Sequence, residues 1–474
     1  MTRPSDAACS PEDILRRAGR LPARDGFPDV DTLWEHFSAL EARAPGLVSS
    51  RRIATSRLGE PIRVYRIGAG THTNLIVGGV HPNEPIGSWT AIQLADDLVA
   101  DAELRDALDA TWYIVPTIDP DGLRLNEGWF DDPSDRAHYA RGFYRPAPDE
   151  QVEWTFPTDY KGAYFDRVLP ETLGLMRLID DVRPDLLVSL HNGEMGGVYY
   201  YISRPDPELQ DVLTRLPAAL GLPLAIGEPE SPFLAEHGPA IFGLGPISQA
   251  YDYLEALGVD PVPQIGGSSS SEWAARHGTF SLVAELPYWS HPDSDDRTAI
   301  AESYGELVAR TATDLAEVGA VLGDILAEAE PHLELVSPFL RASRAFVPVL
   351  GGIAETDLAR AVLPEADRPA TVAERFDRED LVHCFKLRYG GMLLRALTAQ
   401  TAAGLASPEL HRIRARLAAI YEGWITAPNI AQDAQPIPLA TLVGVQYGAI
   451  LAAAARIAAL TSSGPHLVRP GERP

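Results

Sequence analysis

A short apolar run that leads through polar residues into a helical pattern constrains this chain most. Residues 74–80, NLIVGGV, are typical of a buried strand. A helical pattern then covers residues 86–101. His81 and Glu84 therefore lie on a tight turn between two elements, where an imidazole and a carboxylate can reach one cation. Alone, this pair is better explained as an ordinary polar loop with a surface His and Glu.

Two other apolar strands carry polar residues of the same chemistry. His191 closes the strand pattern over 185–190, and Glu285 lies within the pattern over 279–288. A carboxylate in an apolar strand is costly to bury without a partner or a function. A catalytic zinc takes three protein ligands and keeps an open position for water. A core His and a strand-end Glu are common separately, but their joint occurrence favours a metal site with His191 as the third ligand.

Four sequence blocks between residues 81 and 286 resemble one known family. They are His81-x-x-Glu84, Asp119-Pro-Asp-Gly122, Ser189-Leu-His191, and Gly266-Gly-Ser268 followed by Glu272-Trp273 and Glu285-Leu286. In these blocks the chain resembles the zinc carboxypeptidase family, the carboxypeptidase A-like metallopeptidases, which usually has Asn-Pro-Asp-Gly in the second block. The resemblance implies a Zn²⁺ ion on His81, Glu84 and His191, with Glu285 as the general base.

The family also places an arginine downstream of the second block, where it stabilises the oxyanion. Arg124, Arg141 and Arg145 are the candidates for this catalytic role. Arg145 is slightly favoured over Arg124, which is closer to the block than the family's usual arginine. Arg141, in the same long irregular segment over 123–165, is a candidate for substrate binding.

Two features of the family are missing. An Asn-Arg pair that grips the substrate's terminal carboxylate should fall near residues 152–156, where the sequence is VEWTF. The family's tyrosine before the Gly-Gly-Ser turn is also missing, and Tyr288 is a candidate substitute among several nearby aromatic residues. Glu272 is predicted either to contact substrate or to stabilise the turn. The resemblance thus includes the residues of the hydrolytic centre but not those that bind the carboxylate at a peptide C-terminus.

Strand patterns alternate with helical patterns over residues 51–335, which predicts an α/β fold. We expect a mixed, mostly parallel sheet sandwiched by helices, as in zinc carboxypeptidases, with sites at the carboxyl ends of the strands. Residues 1–50 are predicted to form a helical prologue, and residues 336–474 an all-α C-terminal region. That region is a candidate surface for a homo-oligomer, or a cap over the site. The predicted C-terminal helices cover about 355–362, 379–404, 408–421 and 438–461.

Composition bounds the partners and the compartment. A chain of 474 residues suggests two to three domains. The formal charge of −26 argues against nucleic acid or an anionic membrane as partner. Two cysteines without a CxxC motif, and an N-terminus without an apolar signal region, predict a cytoplasmic protein. The last helix is long and apolar enough to suggest a membrane span, but Gln446, Tyr447 and Arg456 interrupt it and favour a core or interface helix.

These features predict a metallohydrolase that cleaves a peptide or amide bond with a metal-activated water and a Glu general base. A carboxypeptidase activity is the leading hypothesis. An amidohydrolase or deacylase that acts on a small N-acyl amino acid or a modified peptide is the first alternative. A non-catalytic binding or scaffold protein on the same fold is the second, although such proteins usually lose a metal ligand or the catalytic Glu.

Overall fold

The computed structural model describes residues 9–227, 230 and 233–462 of the chain. Its strands are β1 (Val48–Thr55), β2 (Pro61–Ile67), β3 (His72–Val77), β4 (Ala110–Val115), β5 (Thr158–Tyr160), β6 (Ala163–Phe165), β7 (Leu186–Leu190), β8 (Tyr199–Ile202), β9 (Glu236–Gly238), β10 (Ile241–Gly243), β11 (Phe280–Glu285), β12 (Trp289–Ser290), β13 (Ala299–Ser303), β14 (Pro369–Thr371) and β15 (Gln435–Pro436). Its α-helices are α1 (Pro11–Ala18), α2 (Val30–Arg43), α3 (Ile86–Ala100), α4 (Ala102–Leu108), α5 (Pro120–Arg124), α6 (Arg136–Gly142), α7 (Pro170–Val182), α8 (Pro207–Ala219), α9 (Ile247–Ala256), α10 (Ser270–Ala275), α11 (Tyr304–Ala329), α12 (Pro338–Ala361), α13 (Val372–Ala402), α14 (Pro408–Thr426) and α15 (Leu439–Ser462).

Nine strands form one mixed sheet in the order β1-β2-β4-β3-β7-β11-β8-β10-β9. The four central strands, β4, β3, β7 and β11, are parallel to one another. Toward one edge β4, β2 and β1 pair antiparallel, and on the other side β8 pairs antiparallel with β11. The predicted mixed sheet with helices is confirmed. Its parallel pairs lie mainly at the centre, where the carboxyl ends of the strands share one edge.

Helices cover both faces of this sheet. Alternate residues of a strand point to opposite faces, and β3 shows the division clearly. Leu75 and Val77 belong to a core that includes Leu175 of α7, whereas Ile76 belongs to a second core shared with α2, α3 and α15. A strand buried on both faces lacks polar alternation, which explains the continuous apolar run in the sequence.

The predicted helical prologue, residues 1–50, contains α1 and α2, and β1 begins within it at Val48. Val30, Leu33, Phe37 and Leu40 form the buried face of α2. Helix α1 packs on α15, and α2 packs on α3 and β1. Residues 1–8 of the predicted prologue and 463–474 of the predicted tail lie outside the described residues.

A glycine makes the turn after β3 compact. Gly79 has a φ of +64°, and a Cβ atom there would lie 2.3 Å from the Thr117 hydroxyl oxygen. Glycine adopts this conformation without steric cost. The chain therefore turns tightly at the end of β3, and α3 begins at Ile86, where the sequence predicted it.

The sequence over residues 298–328 has a helical pattern and predicts a helix from about residue 298, but α11 begins at Tyr304. Ser303 and Glu306 form a capping box at its start, with each side chain bonded to the other residue's backbone N–H. The preceding residues form β13, which pairs with β14 across the C-terminal region. The helical pattern alone could not show this strand, because its partner is distant in sequence.

The helix that was predicted over residues 355–362 is the end of a longer one, α12. It begins at Pro338, where the Ser337 side chain accepts a hydrogen bond from the Leu340 N–H. Pro348 lies inside the helix, and glycines follow it at 351 and 352. These residues have poor helix propensity, which is why the sequence pattern hid the first half.

The C-terminal region is mainly helical but not exclusively so, because β14 and β15 pair with β13 and β12. It also shares its core with the rest of the chain: Leu451 of α15 lies in the same hydrophobic cluster as Ile76 of β3. Helix α15 packs on α1, α3 and α8. The domain boundary at residue 336 stays a prediction, and the parts on its two sides are packed together.

Among the described residues, one helical stretch, Leu439–Leu460, is long and apolar enough to cross a membrane, with a hydropathy of 1.5. In the structure 72% of its apolar window is buried. Packing against the sheet and neighbouring helices accounts for that apolar composition, as expected for a core helix.

Candidate metal centre

His81 and Glu84 lie on the turn between β3 and α3, at the carboxyl end of a central strand. The Glu84 N–H donates to the His81 carbonyl oxygen at 3.1 Å. Asn192 fixes this turn from the neighbouring strand end: its N–H donates to Glu84 Oε2 at 3.2 Å, and its Oδ1 accepts from the Ile86 N–H at 3.4 Å. Both predicted ligands are buried.

His191 follows β7 directly and meets both residues of the turn. One ligand atom from each of His81, Glu84 and His191 lies within 4.8 Å of the others. The His191 Nδ1 atom is 3.2 Å from Glu84 Oε2, and the two imidazole rings are 4.8 Å apart. The parallel pairing of β3 with β7 brings these distant residues together.

The chemistry of these three donors fits a zinc ion. His81 Nδ1 is buried and has no hydrogen-bond partner among the described residues, and such an orphaned nitrogen is costly unless something binds it. Two imidazoles and one carboxylate also form a ligand set found in catalytic zinc sites. His81, Glu84 and His191 are therefore the residues that would hold the metal.

The electrostatics of the site prepare two of these ligands for a cation. Burial, with the Arg145 charge beside it, lowers the pKa of His81 well below its usual value and keeps this imidazole neutral. Burial opposes ionisation of Glu84, but His81, His191 and Arg145 outweigh it and lower its pKa. A neutral imidazole and an ionised carboxylate are the forms that bind a cation.

His191 differs because it is surrounded by carboxylates. Burial disfavours its charge, but Glu84 and Glu285 outweigh burial and raise its pKa to about 9. A cation must displace a proton from this ring at neutral pH, as is usual when metals bind protonated ligands.

Glu285 ends β11 and faces the three ligands. Its Oε1 atom lies 3.7 Å from His191 Nδ1, and the residue is buried. Burial, reinforced by the nearby Glu84 carboxylate, raises the pKa of Glu285 well above its usual value. A carboxylate with a raised pKa beside a metal site has the properties of a general base.

The structure brings only one of the three predicted arginines to this site. Arg145 Nη1 donates to Glu84 Oε1 at 2.9 Å, and its Nε donates to Gln151 Oε1 at 3.0 Å. Its guanidinium also lies 5.1 Å from the ring centre of Trp154. Arg145 lines the cavity around the metal ligands and is the remaining candidate for the oxyanion.

The other two arginines point elsewhere, and the structure contradicts their predicted placement. Arg124 binds Asp31 and Glu60, each at 2.7 Å. Arg141 is exposed and pairs with Glu422 of α14 at 2.8 Å. Neither lines the cavity. Arg124 is close to the Asp119 block in sequence, but α5 directs its side chain toward Asp31 of α2 and away from the metal ligands.

Tyr288 and Glu272 have structural contacts. The Tyr288 hydroxyl donates to the Asn83 carbonyl oxygen at 2.9 Å, so this buried ring supports the metal-binding turn from behind instead of lining the cavity. Glu272 lines the cavity, but it accepts hydrogen bonds from the Ile247 N–H and the Ser268 hydroxyl. Of the two roles predicted for Glu272, its contacts match the stabilised turn.

Several charged residues near the site were not predicted. Glu194 lies three residues after His191 and accepts from Arg388 of α13 at 2.7 Å and from Arg136 at 3.1 Å. Arg136 also binds Asp380 of α13 at 2.8 Å. The signal was present, since Asp380 and Arg388 recur on one face of a helical pattern, but nothing in the sequence identified their partners.

Together these elements enclose a cavity of about 760 Å³ that contains the metal ligands and Glu285. Its walls come from the sheet edge and from α12 and α13, through residues such as Phe346, Ile353, Leu381 and Phe385. From below, the Gln446 side chain of α15 donates to the His191 carbonyl oxygen at 2.8 Å. The C-terminal helices therefore cap the site, which was one of the two predicted roles, and the predicted homo-oligomer stays a prediction.

His81, Glu84 and His191 form a buried cluster that could hold a metal ion, and the cluster faces the Glu285 carboxylate at a parallel sheet edge. Residues 34–215 match the sequence model of a family described as zinc carboxypeptidase. That segment includes the three predicted ligands and ends before Glu285. In this segment the chain is similar to the zinc carboxypeptidase family, as a divergent member would be. It has no match among curated proteins.

Solved structures of carboxypeptidases are similar to this chain at low sequence identity. Bovine thrombin-activatable fibrinolysis inhibitor, in complex with tick carboxypeptidase inhibitor, is 12% identical over 55% of this chain and 86% of its own, with a TM-score of 0.38. Carboxypeptidase A from Helicoverpa armigera is 15% identical over 75% and 80%, with a TM-score of 0.39. A metallo-carboxypeptidase from Burkholderia cenocepacia is 17% identical over 54% and 60%, with a TM-score of 0.34.

Proposed function

We propose that this protein hydrolyses a peptide or amide bond with a zinc-activated water. The observation that carries the proposal is the convergence of His81, Glu84 and His191 within 4.8 Å, with the Glu285 carboxylate 3.7 Å from His191. A merely structural zinc site would have four protein ligands and no open position. Here three ligands face a cavity that can admit water and substrate.

The protein's own residues would divide the chemistry as follows. When zinc is bound, it supplies Lewis acidity to the scissile carbonyl and lowers the pKa of water toward neutrality. Glu285 takes a proton from the attacking water and delivers it to the leaving amine, a role that a raised pKa favours. Arg145 offers a positive charge beside the metal ligands, where it stabilises negative charge on the carbonyl oxygen.

A carboxypeptidase activity is the first form of this proposal, in line with the family. A deacylase or amidase that acts on a small substrate is the second, and the cap favours it. Helices α12 and α13 close over the cavity, and buried ion pairs fix α13 in place through Glu194 and Asp380. A folded protein substrate would meet this cap, whereas a short peptide or a small amide fits within about 760 Å³.

Metal content and one isosteric variant test the proposal. The purified protein should bind about one zinc per chain and should hydrolyse members of a panel of dipeptides and N-acyl amino acids. Glu285→Gln should keep the zinc and lose activity by about 10²- to 10⁴-fold, since general-base catalysis contributes that much. Glu84→Gln should lose the zinc itself.

His138→Gln is the matched control for the ligand variants, because His138 is exposed and pairs only with Asp131 among the described residues. It should change neither zinc content nor activity. A protein without stoichiometric zinc, or Glu285→Gln with full activity, would show that the fold serves as a binding or scaffold protein instead.

A further inference from the structure

The charges that line the cavity are unbalanced. Among the described lining residues, the acids are Glu84, Glu153, Glu194, Glu230, Glu272, Glu285, Asp357, Asp377 and Asp380, and the bases are Arg145, Arg360, Arg378 and Arg388 together with His81 and His191. Acidic side chains therefore outnumber basic ones in the lining. A cavity lined predominantly by one sign of charge attracts ligands of the opposite sign.

Each of the four arginines already has an anionic partner. Arg145 binds Glu84, and Arg388 binds Glu194. Arg360 and Arg378 both bind one carboxylate, that of Asp357. An anionic substrate group would have to compete with these pairs, all four of which are largely buried. The cavity is therefore poorly equipped to hold a free carboxylate.

Glu153, unlike the four arginines, has no ion-pair partner among the described residues. It is 7% exposed, lines the cavity and stands next to Trp154, whose ring is 5.3 Å from His81. Its carboxylate accepts hydrogen bonds from the Ser270 hydroxyl at 3.0 Å and from the Ser270 N–H at 3.3 Å. No described Lys, Arg or His lies within ion-pair distance of it.

The surroundings of Glu153 suit a ligand that donates hydrogen bonds. Residues 268–271 are four consecutive serines, and all of them line the same cavity. Two backbone hydrogen bonds hold the start of the serine turn in place: the Phe156 N–H donates to the Ser268 carbonyl oxygen at 3.3 Å, and the Ser268 N–H donates to the Phe156 carbonyl oxygen at 2.8 Å. Burial raises the pKa of Glu153, and the nearby His191 opposes that rise. Glu153 thus presents a fixed, buried carboxyl group close to the metal ligands. Burial of an ionised carboxylate is costly, and a cation bound beside it would offset that cost.

We propose that Glu153 is a specificity-determining residue that pairs with a positively charged amine of the substrate. This inference rests on the proposed hydrolytic function in its second form, that of a deacylase or amidase. The preferred substrate is a compact amide that carries an ammonium group near the scissile bond, and a free carboxylate at that position is disfavoured. The residue takes no part in the chemical step.

Two matched substrate sets test this assignment. In the first, the group on the acyl side changes: glycyl-phenylalaninamide is a cation, acetyl-glycyl-phenylalaninamide is neutral, and succinyl-glycyl-phenylalaninamide carries a carboxylate. In the second, the group on the amine side changes, in benzoylglycine amides of 1,3-diaminopropane, butylamine and 4-aminobutyrate. Both kcat/KM of the zinc enzyme and calorimetric binding to zinc-loaded Glu285→Gln are measured.

In at least one set, kcat/KM and affinity should be about 10- to 100-fold higher for the cationic member than for the neutral and anionic members. This is the range expected for a hydrogen bond to a charged group. Glu153→Gln should abolish this preference through KM and keep the zinc content. Glu153→Asp retains the charge and should retain part of the preference, which separates charge recognition from a structural role. Asp149→Asn, which alters an exposed acid outside the cavity, is the control and should behave as wild type.

Equal or better use of the carboxylate substrates, or a preference that survives Glu153→Gln, would overturn this assignment while hydrolysis itself upheld the proposed function. If no member of either set is hydrolysed, binding to zinc-loaded Glu285→Gln decides, and equal affinities within both sets overturn the assignment. Absence of both zinc and hydrolysis would instead refute the proposed function.

Discussion

Glu194 offers a direct test of how the C-terminal cap is attached. Its buried carboxylate accepts from Arg388 Nε at 2.7 Å, from Arg136 Nη2 at 3.1 Å and from the Cys384 thiol at 3.0 Å. Arg136 also binds Asp380, but Arg388 has no other carboxylate among its described partners. Glu194→Gln would therefore leave one buried guanidinium without a counter-charge.

Two independent arguments give the same magnitude. Breaking one partner of a buried ion pair typically costs about 3–5 kcal/mol. Burial opposes the ionised form of Glu194, but Arg388 and Arg136 outweigh it and lower its pKa from 4.5 to about 2. At 1.36 kcal/mol per pKa unit, that shift corresponds to about 3 kcal/mol. We therefore expect Glu194→Gln to lower the free energy of unfolding at pH 7 by about 3 kcal/mol.

The sign of the pH dependence follows from the lowered pKa. The stabilisation is fully present above the unfolded-state pKa near 4.5, and it is lost as the pH falls toward 2. The difference in the free energy of unfolding between wild type and Glu194→Gln should thus decrease only below about pH 4.5. Urea unfolding followed by tryptophan fluorescence measures the gap, and hydrogen exchange of α13 shows where it arises.

Glu422→Gln is the matched control. It breaks the pair with Arg141, which also joins the first part of the chain to the C-terminal helices, but its two side chains are 47% and 53% exposed. Exposed pairs contribute about 0–1 kcal/mol. Equal destabilisation by the two variants, or a loss below about 1 kcal/mol for Glu194→Gln, would refute the reasoning that burial makes this ion pair essential.

Two further predictions concern the sheet and its loops. Burial raises the pKa of the Asp119 carboxyl from 3.8 to about 7, so its ionisation costs folding free energy as the pH rises through that window. Between pH 4 and pH 8, the free energy of unfolding of Asp119→Asn, measured with urea, should rise by up to about 4 kcal/mol relative to that of wild type. Equal pH dependence of the two free energies would contradict this prediction. A Cβ atom at Gly87 would lie 2.7 Å from the Leu190 Cβ, beside the metal-binding end of β7. Gly87→Ala should therefore cost about 1–3 kcal/mol and weaken zinc binding in a titration, whereas Gly351→Ala, with nothing within 4 Å of the new atom, should be neutral or stabilising; equal effects would refute the packing argument.

The sequence predicted the centre of the site because each central residue has a local signal. His81, His191 and Glu285 interrupt or end apolar strand patterns, and parallel strands bring their carboxyl ends to one edge. The choice between Arg124 and Arg145 had no such signal. Both lie in a segment without periodicity, so only the folded chain shows which guanidinium reaches Glu84.

Tertiary partners explain the other differences. Helical periodicity indicates which face of α13 is polar, but it cannot indicate that Arg388 meets Glu194, a residue 194 positions earlier in the chain. Short strands such as β14 exist only because β13 lies beside them. The prolines and glycines of α12 mask a helix that packing against α11 and α13 stabilises. The sequence alone therefore predicted the metal ligands at the edge of the sheet better than the C-terminal helices that cover them.

The position of α15 has a consequence for biosynthesis. This helix covers one face of the central sheet, and its Gln446 side chain bonds the backbone of a metal ligand, yet it is among the last described elements to leave the ribosome. Nascent chains that end before it would present an uncovered apolar sheet to chaperones and proteases. Zinc loading is thus expected only after residue 446 has been translated and α15 has packed against the sheet.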